Sequence, residues 1–193
     1  MARADEVVFL RINGWVGTFG PLDRLVEWLV SDYLVTAVLG LGLLALWFAG
    51  ADGGTRLRYQ LGVLTALAGM ALANWMVFIG NGLFFRPRPF VDLDVSLLFY
   101  QPTDSSMPSN SAAAFFALAA AVWGFNRRAG TAMLAVAAIH AILRVYAGVH
   151  YPSDIIVGAL IGVAGAFAAY RLRGLLGPVP VMAIKAARIL CLA

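Results

Sequence analysis

Arg86-Pro87-Arg88-Pro89 is the first place in this chain where residue type and spacing could do chemistry. Guanidinium groups offer paired, planar donors that match phosphate oxygens, and the proline rings fix φ and stiffen the segment. The same arginines would also serve as an interfacial anchor, because arginines near span ends snorkel to lipid head groups. A second segment, Met107-Pro108-Ser109-Asn110-Ser111-Ala112, sets a proline and small polar residues ahead of an apolar run. That is the pattern of a helix N-terminus. Its free N–H groups and positive dipole end suit a phosphate, although an ordinary N-cap has the same composition.

The third segment carries Arg144, His150 and Asp154, with His150 four residues before Asp154. At the mouth of a new helix, that spacing lets a carboxylate on the following turn bond one imidazole nitrogen. The other nitrogen is then left free as a nucleophile, the orienting logic of a triad. The alternative is a buried polar knot joining two helices. Taken together, the three segments make a kit for phosphoryl transfer without a metal: cations for the oxygens, backbone dipoles for the charge, and a histidine to attack phosphorus. Two histidines, one cysteine (Cys191) and no clustered carboxylates make a metal site unexpected. No glycine loop of the nucleotide-binding kinds is present, so no cofactor is expected.

The elements that must position these residues are membrane helices. The chain has 193 residues, 62% hydrophobic and 12% charged, where a soluble domain carries about 25% charged residues. The mean hydropathy is +0.84. So few charges cannot cover a globular surface, and the length leaves room for a single membrane-embedded domain, 1–193. A helix needs about 20 apolar residues to cross the hydrocarbon. Stretches 33–49, 59–79, 112–125, 131–146 and 155–170 fit that description, the third being short. Gly158 and Gly162 lie on one face of the last, a spacing that lets helices approach closely. The expected fold is therefore an all-α integral membrane bundle of five to six spans. Segment 1–30 is interrupted by Gly14, Gly17, Gly20 and Pro21 and is expected to form interfacial helices, with a sixth span possible there. The tail, 174–193, is expected to be amphipathic, with Lys185 and Arg188 beside an apolar face. The start of the chain lacks a basic run feeding an apolar core and a cleavage site, so no removable signal peptide is expected.

Charge sets the expected orientation. Arg56, Arg58, Arg127, Arg128, Arg171 and Arg173 fall in alternate loops and in the tail, which the positive-inside rule assigns to the cytoplasm. Loops 80–111 and 147–154 then face outward and hold every candidate site residue. The net charge of +4 reflects this topology. It does not indicate nucleic acid, since the basic residues flank apolar spans and do not interleave with aromatics.

With these motifs in register, the chain resembles the type-2 phosphatidic acid phosphatase superfamily. That family carries a lysine separated by six residues from Arg-Pro, then Pro-Ser-Gly-His, then Ser-Arg, five residues, His, three residues and Asp. Small bacterial undecaprenyl-diphosphatase-like members are the most similar. They often carry Arg-Pro-Arg-Pro-Phe, Pro-Ser-Asn-His and Gly-Val-His-Tyr-Pro-Ser-Asp. The resemblance implies that His150 forms a phosphohistidine and that Asp154 orients it. Arg88 and Arg144 would bind phosphate oxygens, helped by Ser109 and the backbone at Asn110. Three positions depart from the pattern. Asn81 stands in place of the lysine, with Arg86 as a nearby substitute for its charge. Leu143 stands where serine often precedes the arginine. Ser111 replaces the histidine that protonates the leaving group.

General acid catalysis is worth about 10²–10⁴-fold, so Ser111 implies slower turnover, least so for a diphosphate with its weakly basic leaving group. His140 lies one turn before Arg144. It could substitute for that acid, but the expectation is a hydrogen-bonded packing histidine, since a site one turn inside a span is out of reach of an outer-face loop. The expected activity is hydrolysis of a membrane lipid phosphate. A polyprenyl diphosphate is the first candidate substrate and phosphatidic acid or a related phospholipid phosphate the second. A non-catalytic lipid-phosphate binder or transporter is the alternative, and Ser111 is compatible with an inactivated variant, a slow diphosphatase or such a binder.

Overall fold

The computed structural model describes residues 2–189, and every regular element among them is a helix. Cys191 and the end of the tail lie outside the described residues. From the N-terminus, α1 (Ala2–Asn13) and α2 (Gly20–Leu29) precede α3 (Leu34–Phe48) and α4 (Gly53–Leu83). A short α5 (Pro89–Asp92) is followed by α6 (Asn110–Trp123), α7 (Arg127–Tyr146), α8 (Pro152–Leu175) and α9 (Val179–Ile189). Each of the five apolar stretches is thus a helix. By length and composition α4, α7 and α8 can each cross a membrane, and α2 with α3 qualifies as a pair bent by 52°.

The helix ends follow from local chemistry. Asp52 caps α4 by accepting from the N–H groups of Gly54 and Thr55 at 2.9 Å. The helix therefore starts six residues before the apolar stretch and runs for 31 residues, about 46 Å at the α-helical rise. Asn126 caps α7 by accepting from Ala129 N–H at 3.1 Å, which stops α6 after 14 residues. At about 21 Å, α6 is shorter than the hydrocarbon core is thick. The polar segment sits at its N-terminus, beside the first turns of α8.

Helices α4, α6 and α8 pack on one another most extensively, and α7 packs on α6. Lipid tails are as apolar as leucine, so this association rests on close packing more than on hydrophobic burial. Gly158 and Gly162 both face α6, as their spacing indicates. A Cβ would lie 2.5 Å from the Ser109 carbonyl oxygen at the first and 2.4 Å from that of Ala113 at the second. Only glycine permits α8 to lie this close to the polar end of α6.

The N-terminal helices do more than lie at an interface. Phe9 is fully buried and its ring meets Tyr151 at 5.4 Å. Asn13 donates to the carbonyls of Ser96 (2.7 Å) and Tyr146 (2.8 Å). Buried Asp23 accepts from the Tyr146 hydroxyl at 2.7 Å. These contacts fasten α1 and α2 over the turn between α7 and α8. At the opposite end, Arg58 donates to the Phe125 carbonyl, and Arg188 of α9 reaches Gln60 Oε1 at 3.0 Å.

Candidate active site

The turn between α7 and α8 sets the geometry. Gly148 adopts φ +86°, a left-handed conformation that side chains with a Cβ rarely take. The reversal brings Val149 N–H back to the Arg144 carbonyl at 3.2 Å and turns His150 inward, where it is 2% exposed. Asp154, in the first turn of α8, accepts from Tyr151 N–H at 2.8 Å, so the carboxylate also caps its own helix.

His150 is held with one nitrogen committed. Its Nδ1 lies 2.9 Å from the Ser106 carbonyl oxygen. A carbonyl only accepts, so Nδ1 carries the proton and Nε2 presents a lone pair. The direct Asp–His bond suggested by the sequence spacing is absent: Asp154 Oδ2 is 3.7 Å from Nδ1, beyond hydrogen-bonding range. It accepts instead from the Ser106 hydroxyl at 2.5 Å. The carboxylate therefore orients the imidazole through Ser106, a residue without any signal in the sequence. Burial pushes the His150 imidazole down to about 4, and the charges of Arg144 and Arg88 push the same way against Asp154. The ring is neutral near pH 7, the state a nucleophile requires.

Around Nε2 stand Arg88 Nη1 at 3.3 Å and Ser109 Oγ at 3.4 Å. Arg88 is buried and is fixed by the Val149 carbonyl at 3.0 Å and the Asp104 carboxylate at 2.8 Å. Ser109, the N-cap of α6, receives support from behind, its N–H donating to the Asp154 carbonyl at 3.1 Å. Its hydroxyl is 3.4 Å from that of Ser111. Arg144 stacks over Phe99 at 4.3 Å and lies 3.8 Å from Asp32. Its Nε is buried and makes no hydrogen bond among the described residues.

Arg88, Asn110, Ser111, Arg144 and His150 line one cavity of about 300 Å³, with Asp32, Tyr100 and Asp104 on its more exposed side. Two residues named from the sequence lie elsewhere. Arg86 points to the far side of the turn, where it pairs with Asp154 at 2.6 Å and Asp5 at 2.7 Å. Its charge is neutralised there, so it stands behind the site as a brace and does not line the cavity. Asn81 ends up near the close of α4, with its side-chain oxygen buried and unbonded among the described residues, and it too is absent from the cavity wall. His140, expected to be out of reach, does line the cavity. The small side chains of Ser111 and Ala114 leave depth between α6 and α7, and the cavity descends a full turn below Arg144. Sequence reasoning also passed over Asp5, Ser106 and Asp104, whose partners are 148, 48 and 16 residues away in the chain. Among the described residues no group of three or more His, Cys, Asp or Glu could hold a metal ion.

A helical membrane bundle thus gathers a neutral histidine, two buried arginines and a helix N-terminus around one cavity, groups whose chemistry suits a phosphate. Residues 62–177 match the PAP2 superfamily, and the chain belongs to that family of membrane lipid phosphatases. It is 27% identical over 171 residues to undecaprenyl-diphosphatase BcrC of Bacillus subtilis (strain 168), covering 89% of this chain and 85% of the relative. It is 30% identical over 159 residues to the bacitracin transport permease protein BcrC of Bacillus licheniformis, covering 82% and 75%. Among solved structures it is similar to LpxE of Aquifex aeolicus, with a TM-score of 0.65 and 27% identity over 85% of this chain and 93% of that one. A PAP2-type phosphatidylglycerolphosphate phosphatase from Bacillus subtilis shares the fold, with a TM-score of 0.62 and 16% identity over 90% and 86% of the two chains.

Proposed function

We propose that this protein hydrolyses a polyprenyl diphosphate to the monophosphate through a phosphohistidine on His150, without a metal ion. The observation that carries the reading is the oriented Nε2, free of its proton and flanked by Arg88 and Ser109. In this mechanism the terminal phosphate lies between Arg88 and Arg144 and displaces the more exposed carboxylates of Asp104 and Asp32 from them. The Ser109 hydroxyl and the N-terminus of α6 receive the remaining oxygens. Nε2 attacks phosphorus in line, the bond to the bridging oxygen breaks, and the lipid monophosphate departs. Water then attacks the phosphohistidine and releases inorganic phosphate. Ser106 and Asp154 keep the ring oriented in both steps.

A diphosphate is favoured because its leaving group is a weakly basic phosphate, the substrate least penalised by Ser111 in place of an acid. The similarity to an undecaprenyl-diphosphatase supports the same choice. Phosphatidic acid or a related phospholipid phosphate is the second substrate class. A non-catalytic lipid-phosphate carrier is the competing reading, favoured by serine at 111 and by the similarity to a transport permease protein. The arginines near the starts of α4 and α7 support an orientation with the cavity on the outer face, by the positive-inside rule.

The test is phosphate release in detergent from a polyprenyl diphosphate and from phosphatidic acid, using the wild type, Ser111→His and, as the blank, His150→Ala. The proposal expects release that His150→Ala abolishes, with the diphosphate the better wild-type substrate. It also expects Ser111→His to release phosphate from both lipids at least as fast as the wild type. No release from either lipid by either active-site form would favour the carrier.

A further inference from the structure

His140 has no task in the mechanism above, yet its position is hard to explain as packing alone. It is 3% exposed, and its Nδ1 is buried without a hydrogen-bond partner among the described residues. Leaving such a nitrogen unbonded costs free energy, and an apolar residue would fill the same space. Its ring meets Phe115 edge-on at 4.9 Å. Phe115 and Ser111 are four residues apart on α6 and share one face, as His140 and Arg144 do on α7. The histidine of α7 therefore lies across from the turn that carries Ser111. Both residues line the wall of the cavity into which His150 faces. Ser111 itself is one hydroxyl, that of Ser109, away from the nucleophile. The chain thus lacks a histidine where its family has one and places another on the facing helix, in the same cavity.

We propose that His140 is the proton donor and acceptor of this active site, serving in place of the histidine absent at 111; this rests on the phosphatase reading above. In the first step the lone pair of His150 Nε2 forms the bond to phosphorus and the phosphorus–leaving-oxygen bond breaks. The protonated ring of His140 delivers its proton to that oxygen and becomes neutral. In the second step a water oxygen bonds to phosphorus and the phosphorus–nitrogen bond breaks. The water proton passes to His140, which is again an imidazolium ready for the next cycle. A bound phosphate carries the negative charge that this imidazolium would pair with. The other ionisable groups lining the cavity are Asp32, Arg88, Tyr100, Asp104, Arg144 and His150.

A proton donor is distinguished from a packing residue by its dependence on the leaving group. Single-turnover formation of the phosphohistidine is measured with short-chain phosphatidic acid, whose leaving alkoxide needs a proton, and with 4-nitrophenyl phosphate, whose leaving phenolate does not. The proteins are the wild type, His140→Gln, Ser111→His and the Ser111→His/His140→Gln double variant. The expected result is a loss of about 10²–10⁴-fold on phosphatidic acid for His140→Gln, with the aryl phosphate changed only a few-fold. In the Ser111→His background, replacing His140 should matter little, because the acid then stands at 111. This comparison retains its meaning even if the single variant folds poorly. Equal losses on both substrates, no loss on either, or an undiminished loss in the Ser111→His background would overturn the proposal. If the wild type is inert on both substrates while Ser111→His is active, His140 is not the acid and the phosphatase reading stands. If both are inert, the phosphatase reading falls and this proposal falls with it.

Discussion

Arg86 and Arg88 are two residues apart in the chain, but the structure gives them opposite tasks. Arg88 faces the cavity beside Nε2 of His150, whereas Arg86 braces Asp154 from outside it. Replacing each by alanine should therefore separate binding from turnover. Under the proposed mechanism Arg88→Ala is expected to raise KM and lower kcat, since one of the two arginines assigned to the phosphate is lost. Arg86→Ala is expected to lower kcat with KM nearly unchanged, because only the support of Asp154 and Ser106 is loosened. Steady-state kinetics on one substrate decides this, and a KM effect for Arg86→Ala would return that residue to the cavity wall. The buried imidazole of His150 makes a second prediction. Its neutral form persists down to about 4, so kcat/KM for 4-nitrophenyl phosphate should hold through pH 6.5 and fall only toward pH 4. An acid limb centred near an ordinary histidine value of about 6.5 would contradict the buried, neutral nucleophile. The linkage to stability has a definite sign. Above about pH 6.5 both folded and unfolded states hold this ring neutral and its contribution is complete. As pH falls from there toward 4 the unfolded chain takes up the proton first, and stability is lost.

Between helices, the decisive contact is the approach of α8 to the N-terminus of α6. Gly158 has the Ser109 carbonyl where its Cβ would be, at 2.5 Å, and Ser109 is the cap that faces the nucleophile. Gly158→Ala must push the two backbones apart. An overpacked site of this kind costs about 1–3 kcal/mol, seen as a lower melting temperature in detergent. Turnover should fall as well, because Ser109 moves with the carbonyl. A variant as stable and active as the wild type would mean that the helices tolerate a wider spacing. The N-terminal residues Asn110, Ser111, Ala114 and Phe115 of α6 wall the same cavity as His140, one turn before Arg144 on α7.

Over the whole molecule, the site occupies one end of the bundle, and the paired arginines at the starts of α4 (Arg56, Arg58) and α7 (Arg127, Arg128) occupy the other. The positive-inside rule then predicts the orientation. With Cys191→Ser as background, Asp94→Cys in intact cells should react with a membrane-impermeant maleimide, and Arg128→Cys should react only after permeabilisation. The reverse pattern would place the cavity on the cytoplasmic side. The N-terminal helices belong to this scale too. Asp5, Asn13 and Asp23 each bond to a segment more than 80 residues away, so α1 and α2 clamp the site end of the bundle and do not simply float on the bilayer.

Composition, the five apolar stretches and the spacing of Arg144, His150 and Asp154 were enough to determine a membrane helix bundle of the PAP2 family, because these signals are local in the chain. Spans need contiguous apolar residues, and glycines four apart must share a helix face. The roles of Arg86, Ser106 and His140 were not legible in the same way. Each depends on which partner lies across from it: Asp5 and Asp154 for Arg86, the His150 ring for Ser106, and the cavity beside Ser111 for His140. Spacing within one strand of sequence suggested a direct bond between Asp154 and His150. The fold inserted Ser106 between them, because a buried carboxylate takes the nearest well-aligned donors and only packing decides which those are. Local patterns determined which residues could act, and the close approach of α6, α7 and α8 decided which of them face one another.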